Sequence, residues 1–180
     1  MARKATNELL QKAKKQKNDE FYTQLADIES ELQHYKSHFK DKVVYCNCDD
    51  PRISNFFRYF VSHFKEMGIK KIIAACYREQ NMDLFDTKEN KHGFFFEYTG
   101  TELTDNDPKK ANVVYFKGDG DFRSPESIAL LKQSDIVVTN PPFSLFRDYV
   151  TQLIRYDKQF LIIGNINAIT YKEIFKLIQN

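Results

Sequence analysis

Thr139-Asn140-Pro141-Pro142-Phe143 is the stretch of this sequence whose residue types combine most directly into chemistry. Two successive prolines fix the backbone and remove two N–H donors, which leaves carbonyl oxygens to face a ligand. Asn140 adds a side-chain acceptor and Phe143 a flat apolar face. Two converging acceptors beside an aromatic plate suit a planar group bearing an NH2. A strand-ending turn with a packing phenylalanine would use the same four residues, so the meaning of the motif depends on where the chain puts it. A second constellation could bind metal. His34 and His38 lie one helical turn apart and Cys46 and Cys48 follow closely, two His and two Cys as zinc can use. Both cysteines fall on a run that should be a central strand, where buried cysteine is common, so the expectation is that no metal is held there.

The surrounding pattern places these residues. Leu25, Ile28, Leu32, Tyr35 and Phe39 recur at three- and four-residue steps and predict an amphipathic helix over 23–39. Residues 43–48 read as a buried strand. Asp50, Pro51 and Ser54 supply helix-start chemistry, and Phe56, Phe57, Phe60, Val61, Phe64 and Met67 form one helical stripe that belongs in a core, with Gly68 suited to the cap. A second strand is expected over 71–77, then a polar loop over 78–92. Strand-like segments at 94–98 and 113–116 flank a turn-rich stretch. A helix at 125–132, a buried strand at 134–139, a helix at 145–156, a strand at 160–163 and a helix at 171–178 follow. Strands alternating with helices imply parallel pairing, right-handed crossovers and an open α/β sheet. Ligands of such sheets bind beyond the carboxyl ends of the strands. The chemistry should therefore sit just after Cys48, Tyr77, Phe116 and Thr139, and that puts Asn140 at the ligand end.

One hundred and eighty residues, 42% hydrophobic and 29% charged with five Pro and six Gly, fit one domain with a sizeable core and exclude a disordered, collagen-like or low-complexity chain. The longest apolar runs are strand-sized, so none could span a membrane. The start, Met1-Ala2-Arg3-Lys4, leads into charged sequence rather than a secretory signal, and three cysteines argue against a disulfide framework. A soluble cytosolic protein is expected. Its net charge of +2 is uneven: residues 1–18 hold six Lys and Arg against Glu8 alone, net +5, and the rest hold 21 against 24 acids, net −3. A basic arm ahead of a mildly acidic body fits a nucleic-acid contact, although a solvated terminus has the same composition.

Asn140-Pro141-Pro142-Phe143 after a hydrophobic strand resembles the catalytic motif of amino methyltransferases that use S-adenosyl-L-methionine. The wider stretch resembles the EcoRI-type adenine-specific DNA methyltransferases: Gly118-Asp119-Gly120-Asp121-Phe122-Arg123-Ser124, then Asn140 through Ser144-Leu145-Phe146, then Ile162-Ile163-Gly164-Asn165. The likeness begins near Asp19-Glu20-Phe21-Tyr22-Thr23 and covers nearly all of the chain. It implies an open, mainly parallel, Rossmann-like class I methyltransferase sheet with helices on both faces. It divides the chain into a basic arm, 1–20, and a cofactor-binding and catalytic domain, 21–180. The implied reaction is methyl transfer from S-adenosyl-L-methionine to N6 of adenine in DNA, as by the modification methylase of a restriction–modification system.

The implied catalytic set is Asn140, Pro141, Pro142 and Phe143. Adenine N6 is a poor nucleophile because its lone pair is delocalised into the ring. Hydrogen bonds from N6–H to the Asn140 side-chain oxygen and the Pro141 carbonyl would localise that density and hold the nitrogen in line with the methyl group. Phe143 would stack on the adenine once it is extruded from the duplex. By the same resemblance Tyr22 and Thr23 lie near the methionine end of the cofactor. Cys46, Asn47, Asp49 and Asp50 stand where relatives of the wider class have a glycine-rich loop, and Asp49 or Asp50 could pair with the cofactor's ammonium group. The cofactor has no phosphate, so a glycine nest is less needed than in dinucleotide folds. Where that class places an acid on the ribose hydroxyls, Cys76-Tyr77-Arg78-Glu79 offers Glu79 as the acid or Tyr77 as a ring to pack on the adenine. Asp119, Gly120, Asp121 and Phe122 form the next contact, with Asp119 or Asp121 on the adenine amino group.

Two other readings use the same motifs: methylation of RNA or of a protein glutamine, and a catalytically incomplete cofactor- or nucleic-acid-binding module. In the family two more strands and a target-recognition region follow the helix at 171–178. The expectation is thus a sheet missing its last strands, an open edge at 160–163 that invites self-association, and a chain that by itself binds cofactor, contacts double-stranded DNA weakly and shows no site-specific methylation.

Overall fold

The computed structural model describes residues 23–48, 50–77 and 92–179. The basic arm, Tyr22, Asp49, Arg78 and Glu79 lie outside the described residues. Six strands form one sheet: β1 (Val43–Asn47), β2 (Lys71–Cys76), β3 (Phe94–Tyr98), β4 (Val114–Tyr115), β5 (Ile136–Thr139) and β6 (Gln159–Ile162), in the order β4-β3-β2-β1-β5-β6. β2, β1, β5 and β6 are parallel, with Tyr45 opposite both Ile73 and Val137. β3 runs against β2 and β4 against β3, so the sheet is mixed, with β3 reversed.

That reversal departs from the parallel pairing expected of strands alternating with helices, within a sheet expected to be mainly parallel, and the connection after β3 accounts for its antiparallel pairing with β4. The segment from Thr99 to Val113 holds only the short 3₁₀ turns Thr104–Asn106 and Pro108–Lys110, with no α-helix to carry a crossover. β3 also alternates along its length: Phe94, Phe96 and Tyr98 are buried, whereas Phe95 and Glu97 are partly exposed. Such alternation marks a strand covered on one side, while the unbroken burial of β1 and β5 marks strands covered on both.

Helices cover both faces. On one lie α1 (Leu25–Leu32), a 3₁₀ segment (Gln33–Phe39) and α2 (Asn55–Met67), packed on Val44, Cys46, Ile72, Ala74 and Val138. On the other lie α3 (Pro125–Gln133) and α4 (Phe146–Arg155), packed on Val43, Tyr45, Ile73, Ala75 and Val137. Alternate residues of each central strand thus feed opposite cores, which is why these strands read as continuous apolar runs. The helix expected over 23–39 is α-helical only to Leu32. Ile28, Leu32 and Phe39 are buried as the pattern required, but Tyr35 stays at the surface.

The phenylalanine stripe of α2 is core. Phe60 packs edge-on to Phe39 with ring centroids 5.0 Å apart, and Phe57 edge-on to Phe96 at 5.9 Å. Each such fully buried ring contributes about 1.5–3 kcal/mol of transfer free energy. Ser54, not Asp50, caps α2: its side chain accepts from Phe57 N at 3.2 Å, and Gly68 ends the helix at φ 63°. A last helix, α5 (Lys172–Gln179), packs through Ile174 near Phe146 and Val150 and leaves Phe175 and Ile178 exposed. β6 is an end strand of the described sheet. Among the described residues no helix is long and apolar enough to cross a membrane.

Candidate active site

The carboxyl ends of β1, β2, β4, β5 and β6 and the amino end of β3 share one edge of the sheet. The β5 loop begins at a fixed point. Thr139 is fully buried, and its hydroxyl donates to the Asn47 carbonyl at the end of β1. The Asn47 side-chain oxygen accepts from the Tyr149 hydroxyl of α4. Burial holds that phenol well above its ordinary pKa, so it remains a donor. Asn47 therefore bolts β1, β5 and α4 together beneath the site, and Cys46 is likewise buried. Their side chains belong to the scaffold; what they can offer a ligand is backbone.

Asn140 follows, half-buried, with its Nδ2 3.5 Å from the Thr23 hydroxyl oxygen. Thr23 is itself held by Asn55 at the start of α2, whose Nδ2 donates to the Thr23 carbonyl at 2.9 Å. Thr23 and Asn140, 117 residues apart, are thereby brought together. The prolines act less symmetrically than expected. Pro142 starts a 3₁₀ turn (Phe143–Leu145) and its carbonyl accepts from Leu145 N at 3.0 Å. Among the described residues no backbone amide donates to the Pro141 carbonyl, which remains as the second acceptor.

The loops after β1 and β4 share a device. Asp50 accepts from Arg52 N at 2.9 Å and grips the Arg52 guanidinium at 2.9 and 2.8 Å. Asp121 accepts from Arg123 N at 2.8 Å and grips that guanidinium at 2.9 and 2.7 Å. The Arg123 side chain holds the Asp121 carboxyl below the usual range, against the opposing effect of burial. Each aspartate thus carries its own counter-ion. Arg52 further lies 4.8 Å from the ring centroid of Phe94, which ties the β1 loop to the start of β3. Asp119 differs. One of its oxygens accepts from Asp121 N at 2.9 Å, and among the described residues it has no ion-pair partner. Phe122 points into the core, edge-on to Tyr149 at 5.2 Å, so its ring is scaffold. Tyr77 is 46% exposed beyond β2.

Two glycines seat this turn. Gly120 has φ 81°, and a Cβ there would lie 2.8 Å from the Cys76 carbonyl oxygen. A Cβ on Gly93 would lie 2.6 Å from both Asp119 C and Gly120 Cα. Gly93 N donates to Gly118 O at 3.0 Å, and Phe116 N to Gly93 O at 2.8 Å. Only bare backbone lets the Asp119 turn lie this close to the ends of β2 and β3. Arg52, Asn55, Gly93 and Tyr149 are the contributors that motif reading missed. The repeated Asp-x-Arg at 50–52 and 121–123 was the visible signal for one of them.

Beside the β5 loop lies a cleft of about 150 Å³ lined by Phe143, Phe146, Asn165, Asn167, Ala168 and Tyr171. The His34, His38, Cys46 and Cys48 constellation does not assemble: among the described residues no three His, Cys, Asp or Glu side chains converge as a metal site.

The family profile described as "Adenine-specific methyltransferase EcoRI" matches residues 9–180. The chain is 62% identical over 182 residues to the type II methyltransferase M.EcoRI of Escherichia coli, covering 99% of this chain and 55% of that one. It is 45% identical over 166 residues to the type II methyltransferase M.MpnI of Mycoplasma pneumoniae, covering 92% and 46%. To the type II methyltransferase M.MgeORF184P of Mycoplasma genitalium it is 40% identical over 164 residues, covering 91% and 46%. The chain spans about half the length of these relatives. No solved structure gives a significant match.

Proposed function

Because this chain belongs to the EcoRI-type adenine-specific methyltransferase family, we propose that its residues 21–180 are the cofactor-binding and catalytic domain of an enzyme that methylates adenine N6 in double-stranded DNA. The methyl donor is S-adenosyl-L-methionine, and the setting is a cytoplasmic restriction–modification system. The observation that carries this reading is the acceptor pair after β5. Asn140 is held beside Thr23 at the ligand end of the sheet, and the Pro141 carbonyl is not engaged by a described backbone amide.

The residues fit the cofactor in three respects. Asp119 brings a carboxylate that no described residue holds in a direct ion pair, the Gly93–Gly120 seat lets backbone approach closely, and Tyr77 offers an exposed ring. This favours Asp119 over Asp121 for the adenine amino group, since Asp121 already holds Arg123. Asp50 is similarly occupied by Arg52, so an ammonium group would have to share it or use Asp49. When bound, the cofactor supplies an electrophilic methyl group. The chain does the rest by positioning. Asn140 Oδ1 and the Pro141 carbonyl accept from the substrate amine, draw its lone pair onto nitrogen and fix its direction, with Phe143 against the extruded base. β6, an end strand of the sheet among the described residues, and the exposed Phe175 and Ile178 support association of two copies there. The test is tritiated methyl transfer from S-adenosyl-L-methionine to unmethylated duplex DNA, compared between this chain and a version extended to the length of its relatives. Label recovered as N6-methyladenine with either supports the reading, and cofactor binding without transfer by both removes it.

A further inference from the structure

The turn after β4 is braced from α3 by side chains that no motif singled out. Asp119 stands between Gly118 and Gly120, and a residue flanked by glycines has much backbone freedom to lose before it can hold a fixed direction. The first turn of α3 removes that freedom. Glu126 Oε1 accepts from Lys117 N at 3.0 Å and its Oε2 from Gly118 N at 3.2 Å. The Ser127 hydroxyl, on a residue only 2% exposed, donates to the Gly120 carbonyl at 3.2 Å and accepts from the Ser124 hydroxyl at 3.1 Å. Backbone on both sides of Asp119 is thus tied to one helix. The helix start does not require these bonds. Ser124 caps it by accepting from Ser127 N at 3.2 Å, and Pro125 occupies its first position. A carboxylate committed to two amides of a neighbouring turn, beside a helix already capped, serves the turn.

We propose that Glu126 and Ser127 are positioning residues for cofactor recognition: by fixing the peptides on either side of Asp119, they set how strongly the site prefers a purine bearing an amino group over one without it. This rests on the reading that Asp119 takes the adenine amino group of the cofactor. The other aspartates of these loops are oriented differently. Asp50 and Asp121 take their direction from Arg52 and Arg123, each two residues further on. Asp119 has no ion pair among the described residues. One of its oxygens accepts from Asp121 N at 2.9 Å, so its carboxylate follows the backbone of its own turn, and that backbone is what α3 holds. An acceptor already in place lets a ligand's amino group keep the full gain of its hydrogen bond, because none of it is lost in ordering the turn on binding. A loosened turn would still admit the purine but would no longer reward the amino group.

Calorimetry of the full chain with two probes tests this: S-adenosyl-L-homocysteine, and the same molecule with hydrogen in place of the purine 6-amino group. Wild type should bind the first roughly tenfold or more tightly, as expected for one hydrogen bond to a charged acceptor. Asp119→Ala should abolish the preference. Glu126→Ala and Ser127→Ala should each lower the ratio roughly threefold or more, chiefly by weakening the amino form, and Glu126→Gln, which keeps one acceptor, should fall between. Glu102 is the control, since its carboxylate accepts from the amides of Thr99 and Thr101 beyond the opposite end of β3. Glu102→Gln should leave both affinities unchanged. A merely structural role would lower the urea midpoint and both affinities alike and leave the ratio as it was. The proposal is overturned for either residue whose alanine variant keeps the wild-type ratio. If wild type shows no preference, or Asp119→Ala retains it, the assignment of Asp119 falls and the proposal falls with it. Absence of methyl transfer, with the ratios as expected, removes the proposed reaction and leaves the positioning role standing.

Discussion

Gly93→Ala should damage the site without altering any side chain that could contact a ligand. The added methyl would lie 2.6 Å from Asp119 C and from Gly120 Cα. Both are backbone, so no side chain can swing aside. Restoring ordinary carbon contact requires the Asp119 turn to lift by about 1 Å. That movement strains the Gly93 N to Gly118 O bond, 3.0 Å long, and draws Asp119 away from the end of β2. Overpacking of this kind, together with one weakened buried hydrogen bond, should cost about 2–4 kcal/mol. Gly118→Ala is the internal control, because its methyl would meet only Glu126 Oε2 at 3.7 Å. Urea unfolding of both variants measures the stability difference, and calorimetry with S-adenosyl-L-methionine measures the effect on the site. If Gly93→Ala matched Gly118→Ala in midpoint and in cofactor affinity, the idea that two bare backbones seat the Asp119 turn would be wrong.

In a catalytically complete form, extended to the length of the relatives, Asn140→Ala should lower the methylation rate by at least ~100-fold, the scale of losing one preorganised hydrogen-bond partner, with cofactor affinity nearly intact; single-turnover rates and calorimetry separate the two effects. Tyr149→Phe leaves the buried Asn47 side-chain oxygen without its donor and should cost about 1–3 kcal/mol in denaturant unfolding. An unchanged midpoint would show that the bolt between β1 and α4 carries no load. Burial works against the Glu102 charge, but hydrogen bonds from the Thr99 hydroxyl and from the amides of Thr99 and Thr101 bring its carboxyl down from 4.5 to about 2. Its folded value is the lower one, so its contribution is complete above about pH 4.5 and fades as pH falls towards 2. The stability gap between wild type and Glu102→Gln should close over that interval, and a gap independent of pH would refute the assignment.

Patterns that act over a few residues were legible without a fold. A phenylalanine stripe at helical spacing can bury one face only as a helix, and Ser54 and Gly68 suit its two ends, so α2 could be placed from its own residues. Four apolar residues in a row can be buried only with cover on both sides, and that placed β1 at the centre and Asn140 beyond a neighbouring strand. Bonds between distant segments were not legible in the same way. The direction of β3 depends on what its connections can span, and its alternating burial became telling only once β2 lay beside it. Net charge added Asp50, Asp121, Arg52, Arg123 and Arg147 together as independent ions. Folding pairs four of them two by two and leaves the fifth against Tyr171. Phe122 and Asn47, which motif reading assigned to the cofactor, point inward because α4 lies over them with Tyr149 between. The Gly93 and Gly120 seat joins residues 27 positions apart, and the Thr23 to Asn140 contact spans 117. No local rule relates such pairs: their distance is set by where the sheet delivers the strands that carry them.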